Sequence, residues 1–158
     1  MPRKKTASLK RDIAPDMHYN SVMVTRLINK VMKNGKKRLA ERLVYEALEE
    51  AATKAKKDAI EVLETAVKNA SPHVQVRSRR VGGANYQVPM EVKPDRRVHY
   101  AMIWMLDAAR AKEGRSFDKR LANELLDAYN NQGDAIKKKA DTHQMAEANK
   151  AFAHFARY

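Results

Sequence analysis

Apolar residues along this chain recur every three to four positions, switch once to a period of two, and then return to the longer period. That single switch constrains the fold most, because the two periods belong to helices and to strands. Val74 and Val76 alternate with Gln75 and Arg77. Beyond Gly82-Gly83, Tyr86, Val88, Met90 and Val92 alternate with Gln87, Pro89 and Glu91. The pattern predicts one β-hairpin over about 74–92 with a glycine tip. Pro89 has no N–H to give to a ladder, so the hairpin is a two-stranded ribbon with a free edge. One face reads as apolar and able to lie on helices. The other face and the tip carry Arg77, Arg79 and Arg80.

Helical stripes flank the ribbon. A first helix opens at Asn20 or Ser21, buries Val24, Leu27, Ile28 and Val31, and ends at Asn34-Gly35; Arg26, Lys30 and Lys33 share another of its faces. A second covers about 37–55, with Leu39, Leu43, Val44, Ala47, Leu48 and Ala51 inward. A third opens at Asp58 with Glu61 in capping-box spacing, buries Ile60, Leu63, Val67 and Ala70, and stops at Pro72. A fourth starts near Pro94. Val98, Ala101, Met102, Met105 and Ala109, extended by Ile103, Trp104 and Leu106, make it apolar nearly all round, hence central. Ser116 caps a fifth that buries Phe117, Leu121, Leu125 and Ala128. After a turn at 130–133 a last helix runs over about 134–149 with Met145 and Ala148. Residues 1–19, polar and without a sustained period, read as a basic N-terminal arm. The remainder, 20–158, reads as one mainly α domain, a bundle of about six helices with the hairpin between the third and fourth.

Charge is concentrated. The chain has 158 residues and a net charge of +13. The arm holds Arg3, Lys4, Lys5, Lys10 and Arg11 with no acid through residue 11. Residues 72–97 hold Arg77, Arg79, Arg80, Lys93, Arg96 and Arg97 against Glu91 and Asp95. These two stretches carry +9 of the total, which points to a polyanion rather than to solubility alone. On the ribbon, arginine forks suit phosphate, the glycines let the tip approach a nucleotide, and Tyr86 offers a ring to a base. The plainer reading is a hairpin whose arginines only keep a sheet edge from aggregating. The Lys137-Lys138-Lys139 run is ambiguous between RNA contact and a solvated helix face.

Other chemistry finds no support. There is no cysteine, so disulfides and thiolate sites are excluded. His18, His73, His99, His143 and His154 lack metal-ligand spacing, and His143 beside Asp141 is better read as surface. Eight methionines and Trp104 read as packing rather than a ligand pocket. No phosphate loop or nucleophile motif occurs, so no enzyme, cofactor, metal or small-molecule substrate is expected. No apolar run spans a membrane, and the basic N-terminus lacks the apolar stretch of a secretory signal. A DNA-binding regulator is the rival class, but it needs an exposed recognition helix where this chain has an apolar one.

The stretch 76–92, V-R-S-R-R-V-G-G-A-N-Y-Q-V-P-M-E-V, resembles the signature of the small-subunit ribosomal protein S-seven family. So do Tyr19-Asn20-Ser21, Asn34 to Lys37, Ala40-Glu41 with Val44-Tyr45, Pro94 with Arg96, Arg97 and Trp104, and His143 with the stretch 145–154. The resemblance implies a helical bundle with an extended hairpin that binds small-subunit ribosomal RNA early in assembly and organises the head. It implies RNA contacts at Arg3, Lys4, Lys5, Lys10, Arg11, Lys30, Lys36, Lys37, Arg77, Arg79, Arg80, Arg96 and Arg97. It also implies that Val81, Gly82, Gly83, Ala84 and Tyr86 lie toward the exit-site tRNA and the mRNA. Neighbouring ribosomal proteins would be further partners, in a cytoplasmic small subunit rather than an organellar one. Met17 in place of proline, Ile103 before the tryptophan in place of arginine, and the ending Phe155 to Tyr158 depart from the family pattern. The second departure removes one possible phosphate contact.

Overall fold

A computed structural model describes residues 12–157. The elements follow in the order α1 (Val22–Val31), α2 (Lys37–Ala55), α3 (Ala59–Ala70), β1 (Val74–Val81), β2 (Ala84–Glu91), α4 (Pro94–Ala111), α5 (Phe117–Tyr129) and α6 (Asp134–Ala148). A terminal 3-10 helix, Lys150–Arg157, closes the chain. The expected architecture is therefore present: a mainly helical body with one antiparallel hairpin between α3 and α4.

Local chemistry explains the boundaries. Ser21 accepts a hydrogen bond from the Met23 N–H and caps α1. The helix ends at Val31, earlier than expected, and Asn34 and Gly35 at positive φ (54° and 73°) build the turn that follows. Asp58 caps α3 by accepting from the Ile60 N–H, while Glu61 pairs with Lys57 at 3.2 Å. Pro94 stands in the first turn of α4, where a missing N–H costs nothing. Ser116 occupies the cap position of α5 without a side-chain bond.

The core joins Val24, Leu27 and Ile28 of α1, Val44 and Leu48 of α2, Leu63 and Val67 of α3, Met102, Met105 and Leu106 of α4, and Leu121 and Leu125 of α5. Each large side chain so buried stabilises by about 1.5–3 kcal/mol relative to exposure. α5 shares the central place expected of α4 alone, packing on α2, α3, α4 and α6. Several inward assignments fail. Leu39 is 43% exposed and Leu43 only half-buried, because the first turn of α2 overhangs a groove. Ile60 and Phe117 are half-buried. Apart from these, α6 buries Ala135 and Ala146 and leaves Met145 and Ala148 exposed.

Two polar clusters were invisible to periodicity. Glu124 is wholly buried; Lys112 donates to its Oε2 at 2.5 Å and the Ala135 N–H to its Oε1 at 3.1 Å, tying α5 to the starts of the flanking segments. Gly133 (φ 92°) lies so close that a Cβ would meet Asp127 Cβ at 2.9 Å, so both conformation and space demand glycine. The second cluster lies within the stretch read as the arm. Asp16 is buried and accepts from the His18 and Tyr19 N–H groups and from the Tyr45 hydroxyl at 2.6 Å. Burial works to raise the Asp16 pKa, but these bonds outweigh it and hold the carboxyl below its ordinary value. The chain is thus fastened to α2 by residue 16.

Candidate nucleic-acid interface

The hairpin turns through Gly82 and Gly83, both at positive φ (56° and 90°), as a two-residue type I′ turn requires. That turn sets the register. Val81 faces Ala84, Arg79 faces Tyr86, Arg77 faces Val88, Gln75 faces Met90 and Val76 faces Pro89. Hydrogen-bonded and non-bonded pairs alternate from the closing pair, so Pro89 falls on a non-bonded pair and its missing N–H breaks nothing.

Directly opposed residues share a face. The expected division into one apolar and one basic face is therefore corrected. Gln75, Arg77, Arg79, Tyr86, Val88 and Met90 form one face; Val74, Val76, Arg80, Asn85, Pro89 and Glu91 form the other. The first lies on the body: Val88 is buried, and the Tyr100 hydroxyl donates to Gln75 Oε1 at 2.8 Å. Arg77 and Arg80 are exposed and Arg79 is half-buried. Among the described residues no side chain of the three makes an ion pair or hydrogen bond.

Tyr86 is already occupied. Its ring lies 5.2 Å from Phe152 and 5.2 Å from Phe155, so the tail of the chain, not a base, packs on it here. Val81 is half-buried, while Gly82, Gly83 and Ala84 are exposed at the tip.

Arg97 does different work from its neighbours. Its Nε donates to the Val92 carbonyl at 2.8 Å and its Nη2 to Glu91 Oε1 at 2.9 Å, while Nη1 meets His73 Nδ1 at 3.1 Å. It clamps the hairpin's root, and its donors are already engaged within the protein. Nearby, the His73 N–H donates to His143 Nε2 at 3.1 Å, which requires that nitrogen unprotonated. Burial, then Lys139 and His73, push the His143 pKa down. Lys139 donates to the Asn69 carbonyl at 2.6 Å and so caps α3, leaving Lys137 and Lys138 as the exposed members of that run.

A second basic surface lies where α1 meets α4. Lys30 Nζ donates to His99 Nδ1 at 2.7 Å. Burial, then Arg26, lower the Lys30 pKa; burial, then Lys30 and Arg96, lower that of His99. An arriving anion would relieve this mutual repulsion. A cavity of about 600 Å³, bordered by Ile13, Arg26, Lys30 and His99 and also by Asp12 and Asp95, opens beside it, and Lys93 and Arg96 line an adjoining one with Asp95. Lys30 thus bonds His99, and Arg96 lines a cavity with the same ring, so His99 stands between two residues that the resemblance implies as RNA contacts. The available signal was the three-residue spacing of Arg96 and His99 on one helix. Lys36 and Lys37 lie beyond the far end of α1, both exposed, with Lys37 3.6 Å from Glu41. Arg3, Lys4, Lys5, Lys10 and Arg11 lie outside the described residues.

No group of three metal-ligating side chains occurs among the described residues, and none of their helices is long and apolar enough to cross a membrane. The described residues thus form a helical body that carries a cationic ribbon and a basic surface between α1 and α4. Comparison with known proteins identifies the family. Residues 2–150 match the family described as ribosomal protein S7p/S5e. The small ribosomal subunit protein uS7 of Chloroflexus aurantiacus is 57% identical over 157 residues, 99% of each chain. That of a Roseiflexus species is 55% identical over the full length of both, and that of Thermosynechococcus vestitus 53%, over 96% of this chain and 97% of the relative. The chain belongs to the ribosomal protein S7p/S5e family, a family of structural components of translation and not of enzymes.

Proposed function

We propose that this protein binds small-subunit ribosomal RNA directly, nucleates folding of the 3′ major domain into the subunit head, and presents its hairpin tip toward the exit-site tRNA and the mRNA. Its place would be the cytoplasmic small subunit, beside other ribosomal proteins. One contrast carries the reading. On α2 three of the four cations are matched by acids one turn away, Lys37 with Glu41, Arg42 with Glu46 and Lys54 with Glu50, and only Arg38 is not. Arg77, Arg79 and Arg80 on the ribbon have no such match among the described residues. Cations left without internal partners on a projecting element favour an external polyanion. Lys30 and Arg96 at the α1–α4 surface, Lys36 and Lys37 at the α1–α2 turn, and the cations that the sequence carries at positions 3–11 would be further RNA contacts.

Competition decides between RNA and DNA. The 3′ major domain RNA should bind tightly, with affinity falling steeply as salt rises, because each neutralised phosphate releases counterions. Duplex DNA of equal length should compete poorly. Equal displacement by DNA would remove the ribosomal reading.

A further inference from the structure

A groove on the side of the body formed by the α1–α2 turn and the start of α5 has a composition that neither the hairpin nor the α1–α4 surface explains. It encloses about 470 Å³, within the size range of small-ligand sites. Its floor is apolar, built from Val31, Met32, Leu39, Leu43 and Phe117. Its rim carries Lys33, Lys36, Arg110 and Arg120 and no carboxylate.

The first turn of α2 makes one wall, and its charges are placed against the helix's own field. Lys36 stands at the cap position without a side-chain bond, Lys37 and Arg38 follow, and the turn contains no acid. Cations at the positive end of a helix are unfavourable, and an anion there is favourable. Glu41, 3.6 Å from Lys37, offsets this only in part, and an anion at the opening turn would offset the rest. The floor asks for something else. Leu39 is 43% exposed on the stripe that should face inward, and Phe117 is half-buried at the opposite wall. Arg110 is held by the Lys30 carbonyl and lies 3.9 Å from the Asp107 carboxylate, and Arg120 is held by the Arg110 and Lys112 carbonyls, so both guanidinium groups are positioned before any ligand arrives.

An occupant must therefore combine a flat apolar part with negative charge beside it. We propose that the groove receives an unpaired nucleotide of the RNA, its base against Leu39, Leu43 and Phe117 and its phosphate at the opening turn of α2. This rests on the RNA-binding reading above but assigns a separate subsite. Paired RNA would present only phosphates and leave the apolar floor exposed, whereas an extruded base stacks on such a surface.

The test uses the full chain and the 3′ major domain RNA. Leu39→Asp places a carboxylate at the floor and should weaken binding about tenfold or more, and Leu39→Ser should weaken it severalfold without changing the salt slope. Because the side chain is exposed, the thermal melt of Leu39→Ser should stay near that of the parent. Chemical probing should show at least one unpaired base protected by the parent protein and reactive with Leu39→Asp. Arg80→Ala is the control for the general RNA reading. If Arg80→Ala weakens binding and both Leu39 variants bind and protect as the parent does, the subsite is refuted and RNA binding stands. If neither position matters, the broader reading fails as well. If the Leu39 variants keep RNA affinity but lose a neighbouring ribosomal protein from the reconstituted particle, the groove holds a peptide and the nucleotide assignment is wrong.

Discussion

The root and the tip of the hairpin use the same side chain for opposite ends. At the root, Arg97 spends its donors on the Val92 carbonyl, Glu91 and His73. At the tip, Arg77, Arg79 and Arg80 reach no acid among the described residues. Charge within reach of a carboxylate becomes part of the scaffold, and charge carried beyond that reach is left for a partner. The root in this respect resembles the body, where Lys112 is consumed by Glu124 and Asp127. Burial lowers the Lys112 pKa, but the bond and charge of Glu124 outweigh it and leave the ammonium more basic than usual.

The largest effect should come from the body. Glu124→Ala strands Lys112 and the Ala135 N–H and should cost about 3 kcal/mol, the lower end for a broken buried pair because Lys112 keeps Asp127 and some water. Denaturant unfolding measures this; a loss below 1 kcal/mol would place Glu124 with the spare charges of the tip. Arg97→Ala comes next. It removes hydrogen bonds from a charged group and should cost about 1.5–3 kcal/mol, with faster amide exchange at the base of β1 and β2. Gly83→Ala should cost about 1–2 kcal/mol from the left-handed conformation alone, since open space surrounds the site. A neutral result would mean the turn relaxes into another type.

Acid should act on the root and spare the tip. The folded-state pKa of His143 lies below the ordinary 6.5, so the unfolded chain binds a proton first as pH falls. Its contribution is complete above about pH 6.5 and is lost as pH drops from there through the folded value, and His99 follows the same sign. The expected change is the smallest here, because both imidazoles remain partly solvated. It would appear as a smaller protection factor of the His73 amide, relative to its intrinsic exchange rate, at pH 5.5 than at pH 7.5, a difference that should vanish in His143→Ala.

Much of this was legible in the sequence because helix caps, stripes and two-residue turns are local signals. Ser21, Asp58, Pro94 and Gly82-Gly83 each act within a few residues, and the elements they bound appear in the structure. What failed needed a second segment. A two-residue turn pairs even-numbered positions with odd ones, so Val74 and Val76 could not share a face with Tyr86 and Val88; the signal was present, but only after pairing the strands. Nothing near Glu124 announces that Lys112, twelve residues back, neutralises it. Tyr86 meets Phe152 across more than sixty residues, and Lys30 meets His99 across almost seventy. The departure of Arg97 from its neighbour Arg96 follows from where Glu91 and His73 lie in space.

The comparison is tested most directly by measuring RNA affinity and thermal melting side by side for two proteins. One is the triple variant Arg77→Ala, Arg79→Ala, Arg80→Ala; the other is Arg97→Ala. The triple variant should lose about tenfold or more in RNA affinity and show a shallower salt slope, by about 2, while melting within about 2 °C of the parent. Arg97→Ala should show the reverse weighting, with the larger effect on the melt. A triple variant that melts early and still binds RNA at parental strength would contradict the account.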